Sequence, residues 1–182
     1  MGRGMIAALL AACALAVPVS AETPDAPYAG QQSRAIKTLS DEDIAALRAG
    51  NGMGLAKAAE LNGYPGPAHV LALADRLQLT AAQRQEVAAI HARMSTGARP
   101  LGEAVIAHEQ ALDQLFAKGV ATPDSLGAET TAIGELEGRL RAVHLAAHLS
   151  TRALLSPEQI ALYQQLRGYG EEMPAMHHHP HG

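Results

Sequence analysis

From Pro67 almost to the C-terminus, apolar residues recur at alternating steps of three and four, the spacing of one face of an α-helix. Val87, His91, Met94, Ala98, Leu101, Val105, His108, Leu112 and Leu115 form one continuous seam, and Ile133, Leu136, Leu140, Val143, Ala147 and Leu154 form a second. The polar residues between them supply the punctuation. Thr80, with Gln83 three residues on, has the form of a capping box, and it opens a helix that runs to about Lys118. Pro100 lies inside that helix and removes one backbone donor, so a bend is expected there. Gly119 closes the helix, Thr122 caps the next, and Pro123 suits its first position. Leu155-Ser156-Pro157-Glu158-Gln159 starts a final helix through "IALYQQLRGY" (residues 160–169), and "PAHVLALADRLQL" (67–79) reads as a short helix ahead of the long one. β-Branched runs that would support strands are missing. The pattern predicts an all-α chain: a long antiparallel helical hairpin with shorter flanking helices. Two seams with short neighbours leave apolar surface to cover, so a homodimer is expected.

Before Pro67 the periodicity is lost. Residues 22–39 are polar and Pro-containing and read as an exposed leader. Ser40-Asp41-Glu42-Asp43 opens a short helix with a capping-box arrangement, which Gly50, Gly52 and Gly54 end. "ELNGYPGP" (60–67) is a turn cluster. The wider stretch "NGMGLAKAAELNGYPGP" (51–67) suggests a shaped loop that contacts a partner or crosses the bundle. At the N-terminus a basic Arg3 precedes an apolar run from Met5 to Val19, then Val19-Ser20-Ala21. A run of about 15 residues is short for a membrane-spanning helix and fits a secretory signal peptide cleaved after Ala21. Leu10-Ala11-Ala12-Cys13 also resembles a lipoprotein box in which Cys13 would be lipidated, but the apolar run continues past it, which favours ordinary cleavage. The expected layout is a signal peptide over 1–21, a leader with a short helix and a Gly/Pro loop over 22–65, a hairpin domain over 66–170 and a Met/His-rich tail over 171–182.

Composition narrows the chemistry. A length of 182 residues suits one domain with a real core. The formal charge of −4, the lack of Trp and a single Phe leave neither a phosphate-neutralising surface nor a base-stacking platform, so nucleic acid is not an expected partner. Cys13 is the only cysteine, and cleavage after Ala21 would remove it. The exported chain would then hold no disulfide and no thiolate, and any metal would be bound by His, Met or carboxylate.

His144 and His148 are one helical turn apart, and a pair at that spacing offers two imidazole ligands without backbone strain. With the hairpin turn centred near residue 120, facing positions have numbers summing to about 240. His91 then lies opposite Leu149, level with His148 and within reach of His144. The turn at Leu79-Thr80 folds the preceding helix back so that His69 lies beside Ala89. Four histidines, His69, His91, His144 and His148, thus converge from three helices as candidate ligands for a divalent transition metal: zinc, copper, nickel or cobalt. His108 finds no second histidine at its level and reads as a core or rim residue. The C-terminus "EEMPAMHHHPHG" adds a second candidate, a tail site of Met176, His177, His178, His179 and His181, with Met173 nearby. Imidazole ligands must be neutral, so both sites should weaken below about pH 6.5. No nucleophile is paired with a base by any visible pattern and the histidine set shows no evident carboxylate, so an enzyme is not expected.

Leu79-Thr80-Ala81-Ala82-Gln83 and Leu155-Ser156-Pro157-Glu158-Gln159 resemble the paired LTxxQ boxes of the Spy/CpxP superfamily, bacterial periplasmic proteins built as dimeric helical hairpins. The resemblance covers roughly residues 66–170. Within that group, His144 and His148 ahead of the second box resemble the HxxxM ligand pair of the CnrX-type heavy-metal sensors, with His148 in place of the thioether. His91 falls where those sensors have a carboxylate ligand, and His69 lies within one residue of a family histidine position. The resemblance implies a periplasmic metal sensor or metal-resistance protein that reports to an inner-membrane signalling protein. The other function it implies is a Spy-like ATP-independent chaperone whose concave face, with arginines at 84, 93, 99, 139, 141 and 152, captures unfolded clients.

Overall fold

The computed structural model describes residues 26–169; the signal-peptide and Cys13 expectations and the Met/His tail lie outside them. The described residues belong to two units. Residues 26–32 form turns closed by Ala29 N–H to the Ala26 carbonyl and Gln31 N–H to the Tyr28 carbonyl. The second unit, from Ser33 onward, carries the helices α1 (Asp41–Ala49), α2 (Lys57–Glu60), α3 (Pro67–Ala72), α4 (Ala81–Ala117), α5 (Pro123–Leu154) and α6 (Pro157–Leu166). Among the described residues every regular element is helical, and the only extended pairing is a single bridge between Ile36 and Leu39. The chain is all-α. No described helix is long and apolar enough to cross a membrane.

Local chemistry sets the helix starts. Ser40, Thr80, Thr122 and Ser156 each accept a hydrogen bond from the backbone N–H three residues on, and the side chain there returns one to the cap's own N–H. Such caps stabilise a helix end by about 1 kcal/mol each. α4 runs unbroken through Pro100. α3 stops at Ala72, shorter than the predicted 67–79 stretch, because the chain leaves it through turns ending at Gln78, whose φ is 51°. The last helix likewise stops at Leu166, three residues early.

α4 is the spine, packing on α5 and also on α1 and α3. Its face near the start joins Val70, Ala74, Leu77, Leu155 and Tyr163 in one core cluster through Val87. Farther along, Ala98, Val105 and Ile106 meet Ile36, Leu47 and Leu140 in a second. Ile36 is 4% exposed, so the stretch expected to be an exposed leader contributes a core residue. The reason is tertiary: α1 turns this stretch onto α4. α1 and α4 approach so closely that a Cβ at Gly102 would collide with the Leu47 carbonyl oxygen and lie 2.9 Å from its carbon. Only glycine fits that crossing.

The two glutamines of the capping boxes meet. Gln83 Nε2 donates to the Leu154 carbonyl (2.8 Å) and to Gln159 Oε1 (2.9 Å). Gln159 Nε2 donates to the Leu77 carbonyl (3.2 Å) and to Gln83 Oε1 (3.1 Å). Each amide caps its own helix with its oxygen and joins the other helix start with its nitrogen, which a glutamate could not do.

Candidate metal centre

The unexplained stretch 51–67 lies against α5 and forms the wall of a cavity of about 400 Å³, whose lining includes Gly52, Met53, Lys57, Glu60, Gly66, His69, Met94, His144, His148 and Arg167. His144 and His148 point into it from the buried face of α5, at 2% and 8% exposed.

His148 has a fixed tautomer. Its Nδ1 stands 2.7 Å from the Tyr64 carbonyl oxygen, which can only accept, so Nδ1 carries a proton and Nε2 is the nitrogen left for a ligand. Nε2 lies against the backbone of Gly66, where a Cβ would come within 2.9 Å of it. Any side chain at position 66 would fill this space.

His144 has no such partner. Its Nε2 is buried and makes no hydrogen bond. Burial, reinforced by the neighbouring His148, holds its pKa below the usual imidazole value, so the ring is neutral near pH 7. A buried ring nitrogen left unpaired costs about 1–3 kcal/mol, a cost that a ligand in the cavity would offset.

Glu60 organises the other side. It is 8% exposed and its Oε1 accepts from the Tyr163 hydroxyl at 2.5 Å. Arg167 Nε lies 3.4 Å from that oxygen and His69 Nδ1 lies 3.5 Å from it. Oε2 accepts from Gly66 N–H at 3.2 Å and stands 3.8 Å from His148 Nδ1. Burial, together with the hydrogen bond to Glu60, raises the Tyr163 phenol far above the ordinary tyrosine value, so it remains a donor at any accessible pH. Arg152 donates to the Gly63 carbonyl and stacks over the Tyr64 ring, 4.5 Å from its centroid.

Of the four histidines expected to converge, three reach this site. His144 and His148 form its floor, and His69 stands at the rim, its side chain 49% exposed. His91 is half-buried on α4 but does not line the cavity; Met94, three residues along, does. Facing-position arithmetic fixes the level along a helix, not the direction around it, and three residues turn the helix by about 300°. His108 pairs with Glu129, its Nδ1 2.7 Å from Oε2. The tail candidates Met176, His177, His178, His179 and His181 lie outside the described residues. Among the described residues, no three His, Cys, Asp or Glu side chains form a ready cluster for a metal ion; the cavity's further side-chain donors are the thioethers of Met53 and Met94, the Asn51 amide and the Tyr169 hydroxyl.

The pattern expected no carboxylate beside the histidines, and Glu60 corrects that. Its one sequence signal was a lone acid within the otherwise apolar or basic run Leu55-Ala56-Lys57-Ala58-Ala59-Glu60-Leu61. Comparison with known protein families, with curated proteins and with solved structures finds no match.

Proposed function

We propose that this chain is an exported metal-binding protein of the Spy/CpxP kind, a periplasmic heavy-metal sensor or metal-resistance protein whose helical hairpin, α4 and α5, holds a transition-metal ion in the cavity beside His144 and His148. The observation that carries the reading is a pair of buried imidazoles lining one cavity, with Nε2 of His144 unpartnered and Nδ1 of His148 tied to the Tyr64 carbonyl. The approach of Gly97 to Val143 and the His108–Glu129 pair support the antiparallel hairpin. The bound ion supplies a cross-link between α5 and its neighbours. Glu60, fastened by Tyr163 of α6 and by Arg167 just after it, ties the cavity wall to that helix. Occupancy of the cavity would therefore bias the position of that wall, and a homodimer would present the change to a membrane signalling partner.

Titration calorimetry with zinc and copper tests the reading, in a chain carrying Cys13→Ser and His177→Asn, His178→Asn, His179→Asn and His181→Asn. The expected result is about one ion per protomer, abolished by His144→Ala with His148→Ala. No binding in the parent would refute it.

A second reading, the ATP-independent chaperone, draws on a shallow apolar groove between α4 and α5, where Ile90, Met94, Gly97, Val143 and Ala147 lie beside Arg93. Several of the arginines expected to hold clients are already engaged: Arg84 with Asp75, Arg99 with the Ala49 carbonyl, and Arg152 with Gly63. Suppression of client aggregation by the metal-free protein is the result this reading requires.

A further inference from the structure

Resting on the metal-binding reading above, we infer that the cavity is a site for cuprous copper, held by the two imidazoles of His144 and His148 and the two thioethers of Met94 and Met53.

The donors left free in the cavity are all neutral. Glu60 is the one carboxylate lining it, and its oxygens are engaged by the Tyr163 hydroxyl, the Gly66 N–H and the Arg167 guanidinium. His69 lies against the same carboxylate. What remains are the ring nitrogens of His144, the Nε2 atoms of His148 and of the rim residue His69, the Asn51 amide, and the sulfur atoms of two methionines from different elements, one on α4 and one in the 51–67 wall. Thioethers are soft ligands that select Cu(I) and add little for Zn²⁺, Ni²⁺ or Co²⁺.

The charge around the cavity points the same way. Lys57 and Arg167 line it, and Glu60 is the single compensating acid. A divalent ion would meet twice the repulsion a monovalent one meets, and no free anionic donor would offset it. Imidazole and thioether donors satisfy a monovalent soft ion without a counter-charge.

Met53 supplies an independent observation. Its backbone has φ 42°, a left-handed conformation that a methionine adopts at a cost of order 1 kcal/mol or more. It stands between Gly52 and Gly54 at the cavity, and the residue is 45% exposed. Its half-exposed thioether, which also borders an apolar pocket beside Leu39, Leu47 and Leu55, is accessible as a donor.

The test uses the full chain with Cys13→Ser, the four tail histidines changed to asparagine, and Met173→Leu and Met176→Leu. Cu(I) affinity is read anaerobically by competition with a chromophoric Cu(I) chelator, and Zn²⁺ affinity by competition with a zinc indicator, for this parent and for Met94→Leu, Met53→Leu and the double variant. Met→Leu keeps volume and apolarity, and far-UV circular dichroism confirms the fold of each. The expected result is one Cu(I) per protomer, weakened at least tenfold by Met94→Leu and further in the double variant, with Zn²⁺ affinity unchanged by either. Sulfur scattering in the copper X-ray absorption of the parent, lost in the double variant, would agree. If Cu(I) affinity ignores both methionines, or if Zn²⁺ binds at His144 and His148 while Cu(I) does not, the cuprous assignment is overturned and the metal-binding reading stands. If neither ion binds, both fall.

Discussion

Gln83→Glu replaces an amide by a carboxylate of the same shape, so it isolates what the amide nitrogen does. The cap survives, because the carboxylate still accepts from Thr80 N–H as the glutamate of a common capping box does. Two partly buried hydrogen bonds from Nε2 are lost, at 2.8 Å to the Leu154 carbonyl and 2.9 Å to Gln159 Oε1. Each is worth about 1 kcal/mol net, and two acceptors left facing a carboxylate oxygen add a desolvation penalty, for a total of about 2–4 kcal/mol. In a domain of this size that lowers the melting temperature by about 4–16 °C. Urea unfolding followed by far-UV circular dichroism at pH 7 measures it, and the defect should shrink near pH 4, where the protonated carboxyl regains one donor. A loss below about 0.5 kcal/mol would refute the idea that the two capping glutamines join the starts of α4 and α6; a double-mutant cycle with Gln159→Ala should find coupling of about 0.5–3 kcal/mol.

Tyr163→Phe removes a hydroxyl that donates to buried Glu60 and should cost about 1.5–3 kcal/mol in chemical denaturation; a neutral result would mean Glu60 is not held by it. Gly102→Ala should destabilise the protein despite alanine's better helix propensity, because the new methyl strikes the Leu47 carbonyl, and hydrogen exchange should rise selectively in α1. His144 has its folded pKa lowered by burial and by His148, so the unfolded chain binds the proton more readily. Its contribution is full above about pH 6.5 and is lost as pH falls below that towards the folded value. Stability measured between pH 8 and 5 should therefore slope downward, and His144→Leu should flatten the slope; an unchanged slope would refute the assignment.

Helix starts were legible because they are local. Ser40, Thr80, Thr122 and Ser156 carry their capping partners within three residues, and each was found where the pattern put it. The burial of His144 and His148 on one face of α5 follows from the same periodicity. What the pattern did not show depends on tertiary contact. Ile36 reads as an isolated apolar residue in a polar stretch until α1 lays it on α4. Glu60 becomes the organiser of the site only because Tyr163 and Arg167, more than 100 residues away, reach it. The exchange of His91 for Met94 at the cavity turns on rotation about a helix axis, which spacing along the seam determines poorly over two joined helices.

The wall over the cavity has a fastening unlike the rest of the protein. α4 and α5 are held by long backbone ladders and two core clusters, whereas residues 51–66 include only the four-residue α2, with Leu55 packed at the edge of the second cluster and Ala56 and Pro65 buried. Their ties to α5 and α6 run through side chains: Arg152 to Gly63, His148 to the Tyr64 carbonyl, and Tyr163 to Glu60. These polar ties and the few buried or half-buried side chains Leu55, Ala56 and Pro65 are what must separate for such a segment to come away, so its amides should exchange with solvent through a sub-global opening whose free energy lies below that of global unfolding. The chain would then possess a low-lying excited state in which the imidazoles of α5 meet solvent while the spine stays folded, and the rate of that excursion would limit how fast the cavity fills and empties.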